Sequence, residues 1–113
     1  MDLNKLLQVS TLAGKIMLES GAETYRVEET ISRICITFGA HTADSFVIPT
    51  GIMATATFND DIATIVKRIT ARGVDLNKID KINDLSRKTQ GSNMNIDDFN
   101  NQLLNITEMK FVN

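Results

Sequence analysis

Apolar positions recur with a helical period at both ends of the chain and with a period of two in the middle. From Leu3 to about Ser20, Leu3, Leu6, Leu7, Ala13, Ile16 and Met17 fall on one side of a helix. Gly21 ends that helix by accepting a left-handed backbone. A second helix runs from about Glu23 to Phe38, with Val27, Ile31, Ile34 and Phe38 as its apolar stripe, and stops at Gly39. So few residues separate the two helices that they pack as an antiparallel hairpin. After Gly39 the period changes. Ala43 to Ile48 reads as a strand closed by Pro49-Thr50-Gly51. Gly51 or Ile52 to Phe58 follows, with Ile52, Ala54, Ala56 and Phe58 on one face and Met53, Thr55 and Thr57 on the other. Asn59-Asp60-Asp61 is a turn, and Ile62 to Ile69 a third strand. The inward alanines predict that a helix comes close to the sheet there. Asp75 caps a third helix, Leu76 to about Thr89, with Leu76, Ile79, Ile82 and Leu85 inward and Gly91 at its end. Asn95 caps a fourth, with Asp97 and Asp98 in its first turn and Ile96, Phe99, Leu103 and Ile106 as its stripe. The order ααβββαα predicts a single α+β domain over residues 1–113: a helical hairpin, a three-stranded antiparallel meander with helices on one face, and two C-terminal helices.

One residue does not fit this pattern. Arg26, Glu29, Arg33 and Thr37 lie opposite the second helix's apolar stripe, where solvent is expected, and Glu29 with Arg33 reads as an exposed i, i+4 pair. Glu28 falls at the edge of the stripe, beside Thr24, Ile31 and Cys35. A carboxylate there needs a cationic or hydrogen-bonding partner, because losing water without one is costly. Arg68, which shares a strand face with Val66, is a candidate partner if that face turns toward the helices. Two readings of Arg26, Glu28, Arg68 and Arg72 stand side by side. One is a buried structural ion pair, and the other a binding site for a small zwitterion or carboxylate.

Composition narrows the function classes. Hydrophobic residues make up 42% and charged residues 23% of 113, which is enough for a modest core. The net charge of -2, with no run of like charges, argues against nucleic acid as a partner. The single Cys35 excludes an internal disulfide and sits among apolar neighbours, where a small buried hydrophobe is the simpler reading than a reactive thiol. With one His and one Cys, a zinc site is not expected, and no other metal or cofactor is implied. No Gly-rich phosphate loop or G-x-S-x-G elbow occurs, and His41 reads as a surface or strand-end residue. No stretch approaches the ~20 apolar residues of a membrane span. The last residues, Met109 to Asn113, carry no stop signal, so the chain is expected to continue.

The block Gly21-Ala22-Glu23-Thr24-Tyr25-Arg26-Val27-Glu28 resembles the G-A-x-T-x-R-V-E segment of threonine/serine exporter proteins of the ThrE/YjjP type. The resemblance continues through Pro49-Thr50-Gly51, Val66-Lys67-Arg68, Asp75-Leu76-Asn77-Lys78-Ile79 and Leu85-Ser86-Arg87. It implies the N-terminal domain of a bacterial exporter, on the cytoplasmic face of the inner membrane. The implied partners are the transmembrane portion of the same protein and, in some members, a small membrane partner subunit. The implied cargo is a small polar metabolite: threonine, serine or, in some relatives, a dicarboxylate. Carried over by position, the marked residues are Gly21, Thr24, Arg26, Glu28, Pro49, Gly51 and Arg68. Gly21, Pro49 and Gly51 have structural reasons in turns, whereas Thr24, Arg26, Glu28 and Arg68 are the binding candidates.

The leading expectation is therefore a non-enzymatic domain of a metabolite exporter that senses substrate, gates or supports assembly. Leu103, Ile106 and Met109 could instead form a junction into a membrane portion. Two competing classes remain. One is a small hydrolase-like enzyme using Glu28 with Thr24, and the other a homo-oligomerising interaction module.

Overall fold

A computed structural model describes residues 1–108, arranged as α1 (Leu3–Glu19), α2 (Thr24–Thr37), β1 (Thr42–Ile48), β2 (Gly51–Phe58), β3 (Asp61–Arg68), α3 (Leu76–Lys88) and α4 (Ile96–Thr107). This is the expected ααβββαα order, and the sheet is an antiparallel meander in the order β1-β2-β3.

Helix α1 is the centre of the domain. It packs on α2, β2, β3, α3 and α4. Burial around most of its circumference follows: beyond the six predicted positions, Val9, Ser10, Thr11, Gly14 and Leu18 are also enclosed. The buried hydroxyls are satisfied locally, Thr11 Oγ1 donating to the Leu7 carbonyl at 2.6 Å. Gly14 permits the close approach of α2, since a Cβ there would lie 2.8 Å from Ile31 Cδ1 and 3.0 Å from Val27 Cγ1. The inward alanines Ala54 and Ala56 are fully enclosed beneath the helices, as a close helix–sheet approach requires.

The turn after α1 is a junction of three segments. Gly21 has φ +99°, and its α-carbon faces the Gly73 carbonyl, which a Cβ would approach to 3.2 Å. The β3–α3 segment folds back over the helix end. Gly73 N–H donates to the Glu19 carbonyl and Asp75 N–H to the Ser20 carbonyl, both at 2.8 Å. Carbonyls that a helix C-terminus leaves unpartnered are thus satisfied by a distant part of the chain.

The predicted caps form. Asp75 Oδ1 accepts from Lys78 N–H at 3.1 Å, and Asn95 with Asp98 makes a reciprocal capping box. Phe99 of α4 is fully buried and packs edge-on against Phe38 at 5.6 Å. Leu103 and Ile106, at 0% and 8% exposure, belong to this core, so they are not free to form a membrane junction. Met109 lies outside the described residues. Leu76 also departs from expectation. As the first residue of α3 it is 66% exposed, because the helix turns inward only from Ile79.

Candidate functional site

The carboxylate of Glu28 finds its partner in the backbone of a strand. β1 is an edge strand, and alternate backbone groups on its free side have no strand to pair with. Helix α2 lies beside it. Glu28 Oε2 accepts the Val47 N–H at 2.9 Å, and Ser32, one turn further along α2, donates through Oγ to the Ala43 carbonyl at 3.4 Å. Two side chains at i and i+4 on one helix therefore clasp the strand edge. Among the described residues, Glu28 Oε1 has no hydrogen-bond or ion-pair partner.

Between the clasped strand and the outer side of α2 runs an open groove of about 750 Å³. Glu28, Arg33, Asp44 and Ser45 are its chemically active lining, with Tyr25 and Ile36 as apolar walls. Arg33 is held in place from α3: its Nη1 donates to Asn83 Oδ1 at 3.2 Å and to Ser86 Oγ at 3.1 Å. The Ser45 hydroxyl is buried and has no hydrogen-bond partner among the described residues. A buried hydroxyl in that state is uncommon in folded proteins and costs about 1–3 kcal/mol. Arg33 is the only cation in the described lining, against the carboxylates of Glu28, Glu29 and Asp44. The arrangement can pair an ammonium group with a carboxylate and hold a carboxylate on a guanidinium, with a buried hydroxyl in the same lining.

Of the binding candidates read from sequence, only Glu28 lines this groove. Thr24 and Arg26 are half-buried in the first turn of α2, so the suggested Glu28–Thr24 pairing is not assembled there. Arg68 cannot reach Glu28. In β3 it is Ala63, Ile65 and Lys67 that turn toward the helices, while Ile62, Thr64, Val66 and Arg68 are exposed on the opposite face. Pro49 and Thr50 make the two-residue loop closed by the Ile48–Gly51 pair.

Sequence reasoning missed Arg33 and Ser45. Arg33 was expected in solvent with Glu29, but α3 covers that side of α2. The available signal was the Asn83 and Ser86 pair, two polar residues bordering the Ile79–Ile82–Leu85 stripe.

The other candidate groups have structural roles. Cys35 is buried, donates to Ser10 Oγ at 3.3 Å, and has its thiol pKa pushed up by burial. His41 Nδ1 accepts from Asn59 N–H at 3.1 Å, and its ring lies against Phe58. Among the described residues, no group of His, Cys, Asp and Glu is placed to hold a metal ion, and no helix is long and apolar enough to cross a membrane.

Comparison with known proteins bears on the identity of the whole chain. No curated protein and no solved structure gives a match. The ThrE family model, described as "Putative threonine/serine exporter", matches residues 8–112, nearly the full length, including the clasp and every described residue of the groove. The chain therefore belongs to the threonine/serine exporter family.

Proposed function

We propose that this chain is the metabolite-sensing domain of an exporter, sited at the cytoplasmic face of a bacterial inner membrane, and that the groove between α2 and β1 binds the amino-acid cargo. One observation carries the reading: a half-free carboxylate, a guanidinium fixed from a neighbouring helix and an unpartnered buried hydroxyl converge on one groove. A hydroxy-amino acid carries the three complementary groups. Its ammonium would meet Glu28, its carboxylate Arg33, and its hydroxyl Ser45. One arginine among three acidic residues in the lining disfavours a dicarboxylate, whose second charge would have no cation to meet.

Occupancy can act on the rest of an exporter through the clasp. Glu28 belongs to both the groove and the β1 edge, so a ligand that engages it alters how α2 is held against the strand. Binding shifts a conformational equilibrium only as far as it favours one state over the other. The partners in this reading are the membrane-spanning portion of the same protein and, where present, a small membrane subunit.

Calorimetric titration with L-threonine, L-serine and succinate tests the proposal. Saturable binding of the amino acids and not of succinate is expected, lost in Glu28→Gln and Arg33→Gln proteins shown to be folded by circular dichroism. Absence of amino-acid binding in the millimolar range, or binding undiminished in both variants, would refute it.

A further inference from the structure

The face of the sheet turned away from the helices is only half polar. Its positions pair directly across the three strands, in the rows Ile48–Gly51–Arg68, Phe46–Met53–Val66, Asp44–Thr55–Thr64 and Thr42–Thr57–Ile62. Toward the His41 end the threonines satisfy one another, with hydroxyl contacts of 2.6 Å between Thr42 and Thr57 and 3.0 Å between Thr55 and Thr64. The second row is different. Phe46, Met53 and Val66 form an unbroken apolar band across the whole sheet, exposed by 62%, 51% and 68%. An antiparallel sheet that keeps one face in water normally shows polar residues there.

The charges around this band are arranged about its centre. Asp44 on β1 and Arg68 on β3 are both exposed and lie on opposite sides of the band, one row away in each direction. Met53, on the middle strand, is the midpoint of the diagonal joining them. Consider a two-fold axis parallel to the sheet, passing over Met53 at right angles to that diagonal. It sets Asp44 of each copy against Arg68 of the other, and Met53 against its own counterpart. With strands about 4.8 Å apart and same-face residues about 6.8 Å apart, the same operation carries Phe46 close to Gly51 of the second copy, which has no side chain, and beside the exposed Ile48. The strands of the two sheets then cross at about 70°, nearer to the orthogonal than to the aligned way in which sheets stack.

We propose that this face is the contact surface of a homodimer, two copies of the chain stacked sheet to sheet across Met53. The interface is isologous, so each complementary feature occurs twice. A three-stranded face is smaller than the ~800 Å² per partner of a standard stable interface, so the dimer is reversible and dissociates on dilution. The inference does not rest on the ligand reading: the apolar band lies outside the groove, and Asp44, on the edge strand β1, borders both.

Sedimentation velocity over a concentration series, joined to cysteine cross-linking, tests it. The unmodified chain should shift from monomer toward dimer as concentration rises. Arg68→Asp and Asp44→Arg alone should each weaken association about tenfold, since each breaks two cross-interface pairs. The double variant Asp44→Arg with Arg68→Asp should regain it. Stacked sheets lie about 10 Å apart, too far for a direct disulfide, so a short bis-maleimide should link Met53→Cys into a covalent dimer and should not link Thr57→Cys, well away from the axis. Buried Cys35 does not compete. A chain that stays monomeric at every concentration, a Met53→Cys protein that fails to cross-link, or a double reversal that does not restore association would each overturn the proposal.

Discussion

The Glu28 carboxylate accepts the Val47 amide at 2.9 Å, so an α2 side chain stands where the backbone carbonyl of a fourth strand would otherwise pair. This gives Glu28 a structural role that separates cleanly from its charge. Glutamine keeps an acceptor at that place, whereas alanine leaves the amide without one. Glu28→Ala is expected to lower stability by about 1–3 kcal/mol and Glu28→Gln by less than half as much. Urea unfolding midpoints of the two variants check this, and equal losses would contradict the clasp.

Ser45→Ala should behave in the opposite way to most buried substitutions. It removes a hydroxyl that is enclosed without a partner. Stability is expected to stay the same or to rise by about 1 kcal/mol, while threonine binding weakens. Thermal unfolding and calorimetry on the same sample read both effects. A destabilised variant with unaltered binding would remove Ser45 from the site.

Gly14→Ala tests the helix hairpin. In an isolated helix the change is favourable by about 1 kcal/mol. Here the added methyl meets Ile31 and Val27, both β-branched and both buried, at 3.0 Å or less. Overpacking of this kind costs about 1–3 kcal/mol, so a net loss is expected in thermal unfolding. Val27→Ala in the same chain should recover part of it.

The thiol of Cys35 sets a pH dependence at the alkaline side. Burial raises its pKa above the ordinary 9.0, the hydrogen bond to Ser10 opposing this to a smaller degree. Below that ordinary value, folded and unfolded chains both hold the proton and the group is silent. Above it the unfolded chain releases the proton first, so stability falls as pH rises, by at most about 1.4 kcal/mol per pH unit. Unfolding midpoints between pH 7 and pH 10, compared with Cys35→Ala, should show the slope in the parent alone. The native thiol should also resist alkylation until the chain unfolds.

Local signals carried the fold. The change of period after Gly39, the glycines that end α1, α2 and α3 and the Asp75 and Asn95 caps placed every element within two residues of where it lies. The site was less legible, because it depends on which sides of different elements face one another. β3 shows the difficulty. Ile62 and Val66 alternate with Ala63 and Ile65, so both faces read as apolar, and a one-residue shift in parity sends Arg68 to either side. Arg33 was misplaced because helical period identifies a polar side, and only packing shows that α3 lies against it. The position of Glu28 at the edge of the stripe demands a hydrogen-bonding partner, and the Val47 amide is that partner. That partner was invisible because a backbone amide leaves no mark on the residue sequence.

The most direct measurement is a nuclear magnetic resonance titration of the labelled chain with L-threonine, following the Val47 and Ser45 amides and the Arg33 side-chain NεH. The account predicts that these signals move together and saturate, with those of the Phe46–Met53–Val66 band unaffected at fixed protein concentration. Saturable shifts confined to other parts of the chain, or none at all in the millimolar range, would contradict it.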